Sequence, residues 1–286
     1  MTLCIAAVSR ALPRTHIVTV SDLMLSSDYM SVETRVTKVE PISPTRRWVM
    51  LFSGSPSPIS AIQLAVKEEL ANANSSETEA DVRAAVENAY RVELKRKIDN
   101  DILGPFGIDR GTFIRRGRAW FGDQQYDRLV YAIGACRLDL DLLIAGYEPS
   151  GLPRIFSISD PGTYESHERT GFHAIGSGSL RGLGSLFSSY DPTLKKSELV
   201  YRACEAKFLG ESALGVGKQT YVLTFSLNAN QQAEYQSLYP EDVDAKIRPR
   251  WESEGKPPIP SGLAGQIETA LRPTQWMNWK NSKLVP

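Results

Sequence analysis

Four extended runs crowd into the first fifty-five residues, and few architectures accept so many strands before any helix. Leu3 to Val8 and His16 to Val20 are short runs of Ile, Val, Ala and Thr on either side of a Pro-containing turn, the pattern of a hairpin. A third run, TRVTKVEPI, carries Lys38, and a fourth, WVMLFSGS, reaches Gly54. Asp22 stands at the end of the second run. The leading strands therefore deliver a Thr, an Asp, a Lys and a Gly, in that order.

Helical spacing follows. Ile59, Ile62, Ala65, Val66 and Leu70 recur at helical intervals between Ser57 and Ala71. Ser76 or Thr78 then caps a helix from about Glu79 to Asp101, with Val82, Ala85, Val86, Ala89 and Leu94 inward. Gly104 to Gly117 reads as irregular and basic. Strand signal returns in LDLLIAGYE and RIFSISD, and FHAIGSGS leads into a helix at about Leu180. Lys195 to Leu209 is a further helix with Val200, Ala203 and Phe208 inward, and GKQTYVLTFSL is the last core strand. Strands, two helices, strands, two helices, strand: this order predicts an α+β fold, a four-layer αββα sandwich of two antiparallel sheets flanked by helices. Residues 1–227 are expected to form that domain. Residues 228–286 are a C-terminal extension rich in Gln, Glu, Arg and Pro, with a stiff KPPIP stretch and a short helix in SGLAGQIETAL. The extension either packs on its own or a neighbouring subunit, or is a partly disordered tail anchored by Trp276 and Trp279.

Thr2 is the residue on which chemistry can be built. A threonine hydroxyl is a weak nucleophile and needs a base beside it. With Met1 removed, Thr2 carries its own base, since a free α-amino group titrates at about 7.7–8.0. That amine takes the hydroxyl proton directly or through one water. A buried cation favours the alkoxide, the role open to Lys38, with Asp22 holding the Lys. Gly54, at the end of an apolar strand, offers a bare N–H to a developing oxyanion. On these roles, loss of Lys38 is expected to cost rate and little stability. Each residue also has a plain alternative: Asp22 as a turn residue, Lys38 as a surface lysine laid along apolar neighbours, the glycines as turn chemistry.

The order and spacing of these residues resemble those of proteasome β-type subunits, in the bacterial branch of that superfamily. The resemblance rests on Thr2, Asp22, Lys38-Val39 and Ser53-Gly54, with sixteen residues from Asp22 to Lys38 (38 − 22), and on the Gly-Ser-Gly of FHAIGSGS. It spans residues 2–227. Ala11 to Thr15 lengthens the first turn relative to the family. The resemblance implies an amino-terminal nucleophile hydrolase cleaving peptide bonds of a peptide or unfolded protein, in a homo-oligomer. It leaves room for an ATPase activator as a partner. It implies Thr2, Asp22, Lys38, Gly54 and Ser177 as the catalytic set, Ser177 lying against the nucleophile. It also implies a substrate pocket from Ser26, Val36, Phe52 and Pro56, with an apolar or aromatic guest, and no cofactor or metal. Two departures stand out. Met24 replaces the family's Arg after the Asp, leaving Ser26 as the only hydroxyl there. The family's second acidic residue falls at Ala213, with Glu211 and Ser212 as displaced substitutes. A non-catalytic subunit that keeps Met1, and a small-molecule amidase of the same fold, stay open. The gate-forming α-type subunit is disfavoured because the chain has no long amino-terminal extension.

Composition narrows the setting. Lys plus Arg equals Asp plus Glu, 33 each, so charge supplies no reason to expect nucleic acid or an anionic membrane as partner. No apolar run approaches the roughly 18 residues of a membrane span. No basic stretch followed by an apolar run opens the chain, so a cytoplasmic location is expected. Cys4, Cys136 and Cys204 are scattered and odd in number, against a disulfide framework or a zinc site. His16, His167 and His173 are likewise scattered, and His173, in an apolar strand, is expected to be structural.

Overall fold

Successive residues at the start of the chain serve different layers, which fixes the sandwich. The computed structural model describes residues 2–26, 31–34, 36–72, 76–254, 259 and 261–273. Leu3, Ile5 and Ala7, in or just before β1 (Cys4–Ser9), pack in a core with helical residues such as Leu199 and Val200. Cys4, Ala6 and Val8 face the second sheet instead. The same alternation holds in β6 (Trp48–Gly54), where Trp48, Met50 and Phe52 lie under helices and Val49 and Leu51 lie between sheets. Both faces of both strands are thus covered, which is why their sequences are almost uninterrupted apolar runs.

The first sheet has the order β10-β1-β2-β11-β12-β13, and the second β5-β6-β7-β8-β9. Here β2 is His16–Asp22, β5 Val39–Pro41, β7 Leu140–Tyr147, β8 Pro153–Ser159, β9 Thr163–Ser166, β10 Phe172–Ile175, β11 Thr220–Leu227, β12 Ala233–Leu238 and β13 Arg272–Pro273. The pairings are antiparallel throughout. A small hairpin of β3 (Met24–Ser26) and β4 (Ser31–Glu33) stands apart between β2 and β5. Helices α1 (Ile59–Asn72) and α2 (Glu79–Ile98) cover the second sheet. Thr78 caps α2, in a reciprocal box with Asp81, an arrangement worth about 1 kcal/mol. Helices α4 (Ser179–Ser189) and α5 (Lys196–Gly210) cover the first. This is the expected four-layer αββα sandwich.

Two regions differ from expectation or extend it. The stretch expected to be irregular holds α3 (Arg110–Ala135), bent at Gly122, whose φ is +71°. Its Phe113 and Leu129 join Ile98 and Leu103 in a small cluster of their own. Asp109 caps it by accepting from the Thr112 N–H at 2.9 Å. The arginines that read as a basic loop are good helix formers. Beyond residue 227, β12 (Ala233–Leu238) joins the first sheet beside β11, and β13 (Arg272–Pro273) follows it. The short α6 (Pro240–Asp242), α7 (Arg248–Glu254) and α8 (Leu263–Ala270) lie between them in sequence. Leu238, Val243, Ile247, Leu263 and Ile267 bury into the core against α5. Trp276, Trp279 and most of KPPIP lie outside the described residues.

His167 and His173 stack face to face, ring centroids 3.6 Å apart and 6° from parallel. Ser157 Oγ sits 2.9 Å from His167 Nε2. Burial pushes both imidazoles down to about 4. A histidine whose folded pKa lies below its unfolded value near 6.5 binds fewer protons when folded, so stability falls as pH drops from about 6.5 to about 4. Thermal melts should therefore show Tm declining across that window. The decline should shrink in His173→Phe, which keeps a ring in the stack and removes one titrating group. It should not vanish, because His16 is also held at about 4. An unchanged profile in the variant would place the titration elsewhere. No helix among the described residues is long and apolar enough to cross a membrane.

Candidate active site

The β1–β2 register brings Thr2 and Asp22 together. Cys4 pairs with Ser21, so Leu3 lies next to Asp22, whose N–H donates to the Leu3 carbonyl at 3.2 Å. Asp22 Oδ1 accepts three hydrogen bonds: from the Thr2 hydroxyl at 2.9 Å, the Leu3 N–H at 3.1 Å and the Lys38 ammonium at 2.8 Å. Oδ2 accepts the Gly217 N–H at 3.0 Å. Lys38 precedes β5 at the edge of the second sheet, so the ion pair bridges the two sheets at the end where β1 begins. Thr2, Asp22 and Lys38 are 2%, 0% and 2% exposed. A buried ion pair persists only when its remaining bonding capacity is met, and here four donors surround one carboxylate.

Gly54 ends β6. Odd-numbered residues of β6 exchange hydrogen bonds with β7, as the flanking bonds from Tyr147 N–H to Arg47 O and from Ser55 N–H to Asp139 O show. The Gly54 N–H therefore turns the other way, toward the side occupied by β5, which begins only at Val39. Its φ is +107°, and a Cβ there would collide with the Asp139 carbonyl.

Ser177 meets the Thr2 residue but not its hydroxyl. Its Oγ has carbonyl acceptors at Thr2, 3.4 Å, and at Leu214, 3.1 Å. One hydroxyl proton serves one of them at a time. The N-cap of α4 is Gly178, not Ser177. Gly176, with φ of +97°, lies so close to the Thr2 carbonyl that any Cβ would strike it. Neither displaced substitute for a second acidic residue reaches Thr2. Glu211 pairs with Lys207 and Arg248, and Ser212 donates to the Leu209 carbonyl at 2.7 Å. The fourth partner of Asp22 is instead a backbone group, which side-chain matching could not identify. Cys4 Sγ bonds the Phe52 carbonyl at 3.3 Å, and burial pushes its thiol up to about 12, so it offers no thiolate near neutral pH.

The residues expected to bind substrate differ in their exposure. Phe52 packs in the core under α1 and α2, while Val36 is 57% exposed and Pro56 is also exposed. Ser26 ends β3, and its side chain lies outside the described residues. Beside Gly54 there is a polar cavity of about 210 Å³, lined in part by Ser55, Ser57, Glu93, Arg96 and Asp139. Among the described residues, no group of three or more His, Cys, Asp or Glu is placed to hold a metal ion.

No family model matches the chain, and no curated protein does. Among solved structures, the chain is similar to the Anbu (Gly-1) mutant from Hyphomicrobium sp. strain MC1. The TM-score is 0.55 and the identity 16%, over 79% of this chain and 82% of that one. At that identity the likeness is one of architecture: two antiparallel sheets with flanking helices.

Proposed function

We propose that the chain is an amino-terminal threonine hydrolase that cleaves amide bonds, peptides foremost, within a homo-oligomer. One observation carries the proposal: the Thr2 hydroxyl and the Lys38 ammonium meet on a single oxygen of Asp22, buried together. With Met1 removed, the Thr2 amine accepts the hydroxyl proton as Oγ bonds to the substrate carbonyl carbon. The carbonyl electron pair moves onto oxygen, where the Gly54 N–H donates to it. Lys38 offsets the negative charge that grows on Oγ, and Asp22 fixes Lys38. Collapse breaks the C–N bond, and the leaving amine takes the proton back from the Thr2 ammonium. Water then attacks the ester, releasing the acid and regenerating Thr2.

The test is an intact mass of the purified protein, with and without a peptide epoxyketone or boronate. The expected result is loss of one Met and a single adduct on Thr2. Sedimentation of the same preparation is expected to give a species well above the 31.7 kDa monomer. A retained Met1 with no adduct overturns the hydrolase and leaves a binding subunit of the same fold. Met1 loss with turnover of small amides but not peptides moves the substrate to a small molecule.

A further inference from the structure

Behind Asp22 lies a second set of charges that the reaction above leaves unused. Lys207, on α5, is 0% exposed. Its ammonium donates to the Glu211 carboxylate, to the Gly217 carbonyl at 2.8 Å and to the Lys218 carbonyl at 2.7 Å. Three protons meet three acceptors, so the site is built for the charged form. Burial pushes the Lys207 pKa down, and Glu211 opposes that. Arg248, at the start of α7, grips Glu211 with two hydrogen bonds, 2.9 and 2.7 Å, and the Lys218 carbonyl with another, 2.8 Å. Its guanidinium lies over the Phe208 ring, 4.2 Å from the centroid. From the other side, Glu33 Oε1 accepts the N–H groups of Lys218 and Gln219 at 2.6 and 3.0 Å.

The peptide joining Gly217 to Lys218 is therefore fixed at both ends, its oxygen by Lys207 and its N–H by Glu33. The preceding N–H, that of Gly217, is the one that donates to Asp22 Oδ2. We propose that Lys207, braced by Glu211 and by Arg248 from the C-terminal segment, is a positioning residue for the Thr2 site. It fixes the Gly217 backbone so that the Asp22 carboxylate presents Oδ1 to Thr2 and Lys38. Without that backbone donor, Oδ2 has no partner among the described residues, and one restraint on the orientation of the carboxylate is lost. This rests on the hydrolase proposal for its consequence in rate. The brace itself touches no substrate, so its loss acts on kcat and not on KM.

The experiment compares Lys207→Met, Arg248→Met and Arg248→Lys with the wild type. Two quantities are read: kcat and KM on a fluorogenic peptide, and amide exchange of Gly217. Lys207→Met and Arg248→Met are expected to lower kcat about 10–100-fold, the penalty of a small misplacement, with KM changed less than about 2-fold. Gly217 exchange should quicken about 10-fold or more in the same variants, and Arg248→Lys should recover part of both. Arg248→Met keeps the test alive if Lys207→Met does not fold, because Arg248 sits nearer the surface. Wild-type kcat in a folded Met variant overturns the proposal whatever the exchange shows. If the wild-type protein has no turnover, the hydrolase proposal has failed on its own. Exchange then decides the brace: quickened exchange of Gly217 upholds it, and unchanged exchange overturns it.

Discussion

Thr2→Ala is expected to abolish turnover and the Thr2 adduct together, a fall on the order of 10⁴–10⁶-fold in kcat. The loss is that large because the nucleophile and its base belong to one residue, and no neighbour can replace the hydroxyl. Cys4 is the nearest alternative in sequence, but burial pushes its thiol up to about 12 and its Sγ is bonded to the Phe52 carbonyl. The fold should survive. Asp22 Oδ1 keeps the Leu3 N–H and the Lys38 ammonium, so the lost hydroxyl costs about 1 kcal/mol. Thr2→Ser keeps the hydroxyl and the amine, and is expected to retain measurable turnover. Steady-state kinetics and thermal melts on the three proteins check both halves. Activity surviving in the Ala variant would remove Thr2 from the chemistry, and the buried trio would become a structural device.

How far the sequence carries this site depends on which contacts leave a local pattern. The sheets are legible because Leu3 to Val8 and Trp48 to Phe52 are covered on both faces and cannot afford polar residues. Thr2 and Asp22 stand at adjoining strand ends, which can be counted, whereas Lys38 lies inside its run and is picked out by the spacing on which the resemblance rests. The α3 helix is hidden because Gly111, Gly117 and Gly122 read as breakers, although only Gly122 adopts a left-handed φ. Its apolar side chains also pack in a small cluster of their own, so the helix lacks a broad apolar stripe. The fourth donor to Asp22 is a main-chain N–H, invisible to any matching of side chains. Arg248 reaches Glu211 across 37 residues (248 − 211), and that pairing braces Lys207 through the shared carboxylate. Nothing local in the sequence distinguishes it from any other helical lysine.

Lys38→Met should be costly in stability as well as rate, which reverses the expectation formed from the sequence. Lys38 is 2% exposed and Asp22 0%, with 2.8 Å between their charged atoms. Removing one member of a buried pair leaves the other charge uncompensated, at about 3–5 kcal/mol. That is a large share of the roughly 5–15 kcal/mol that holds a typical domain together. A Tm lower by roughly 5–15 °C is expected. Activity should drop by at least about 10²-fold, since the developing charge on Thr2 Oγ loses its nearest cation. Both effects would follow from simple unfolding, so the informative partner is Lys38→Met with Asp22→Asn. In that double variant no buried charge is stranded, and the Asn carbonyl oxygen can still accept from Thr2 and Leu3, although its NH2 cannot accept the Gly217 N–H and that one bond is lost. Most of the stability should return while turnover stays lost. If turnover returns with stability, the ion pair is a strut between the two sheets and Lys38 takes no part in the chemistry. If neither returns, the pair is needed to close that end of the sandwich, and the catalytic role of Lys38 must be judged from Lys38→Arg, which keeps the charge and changes only its reach.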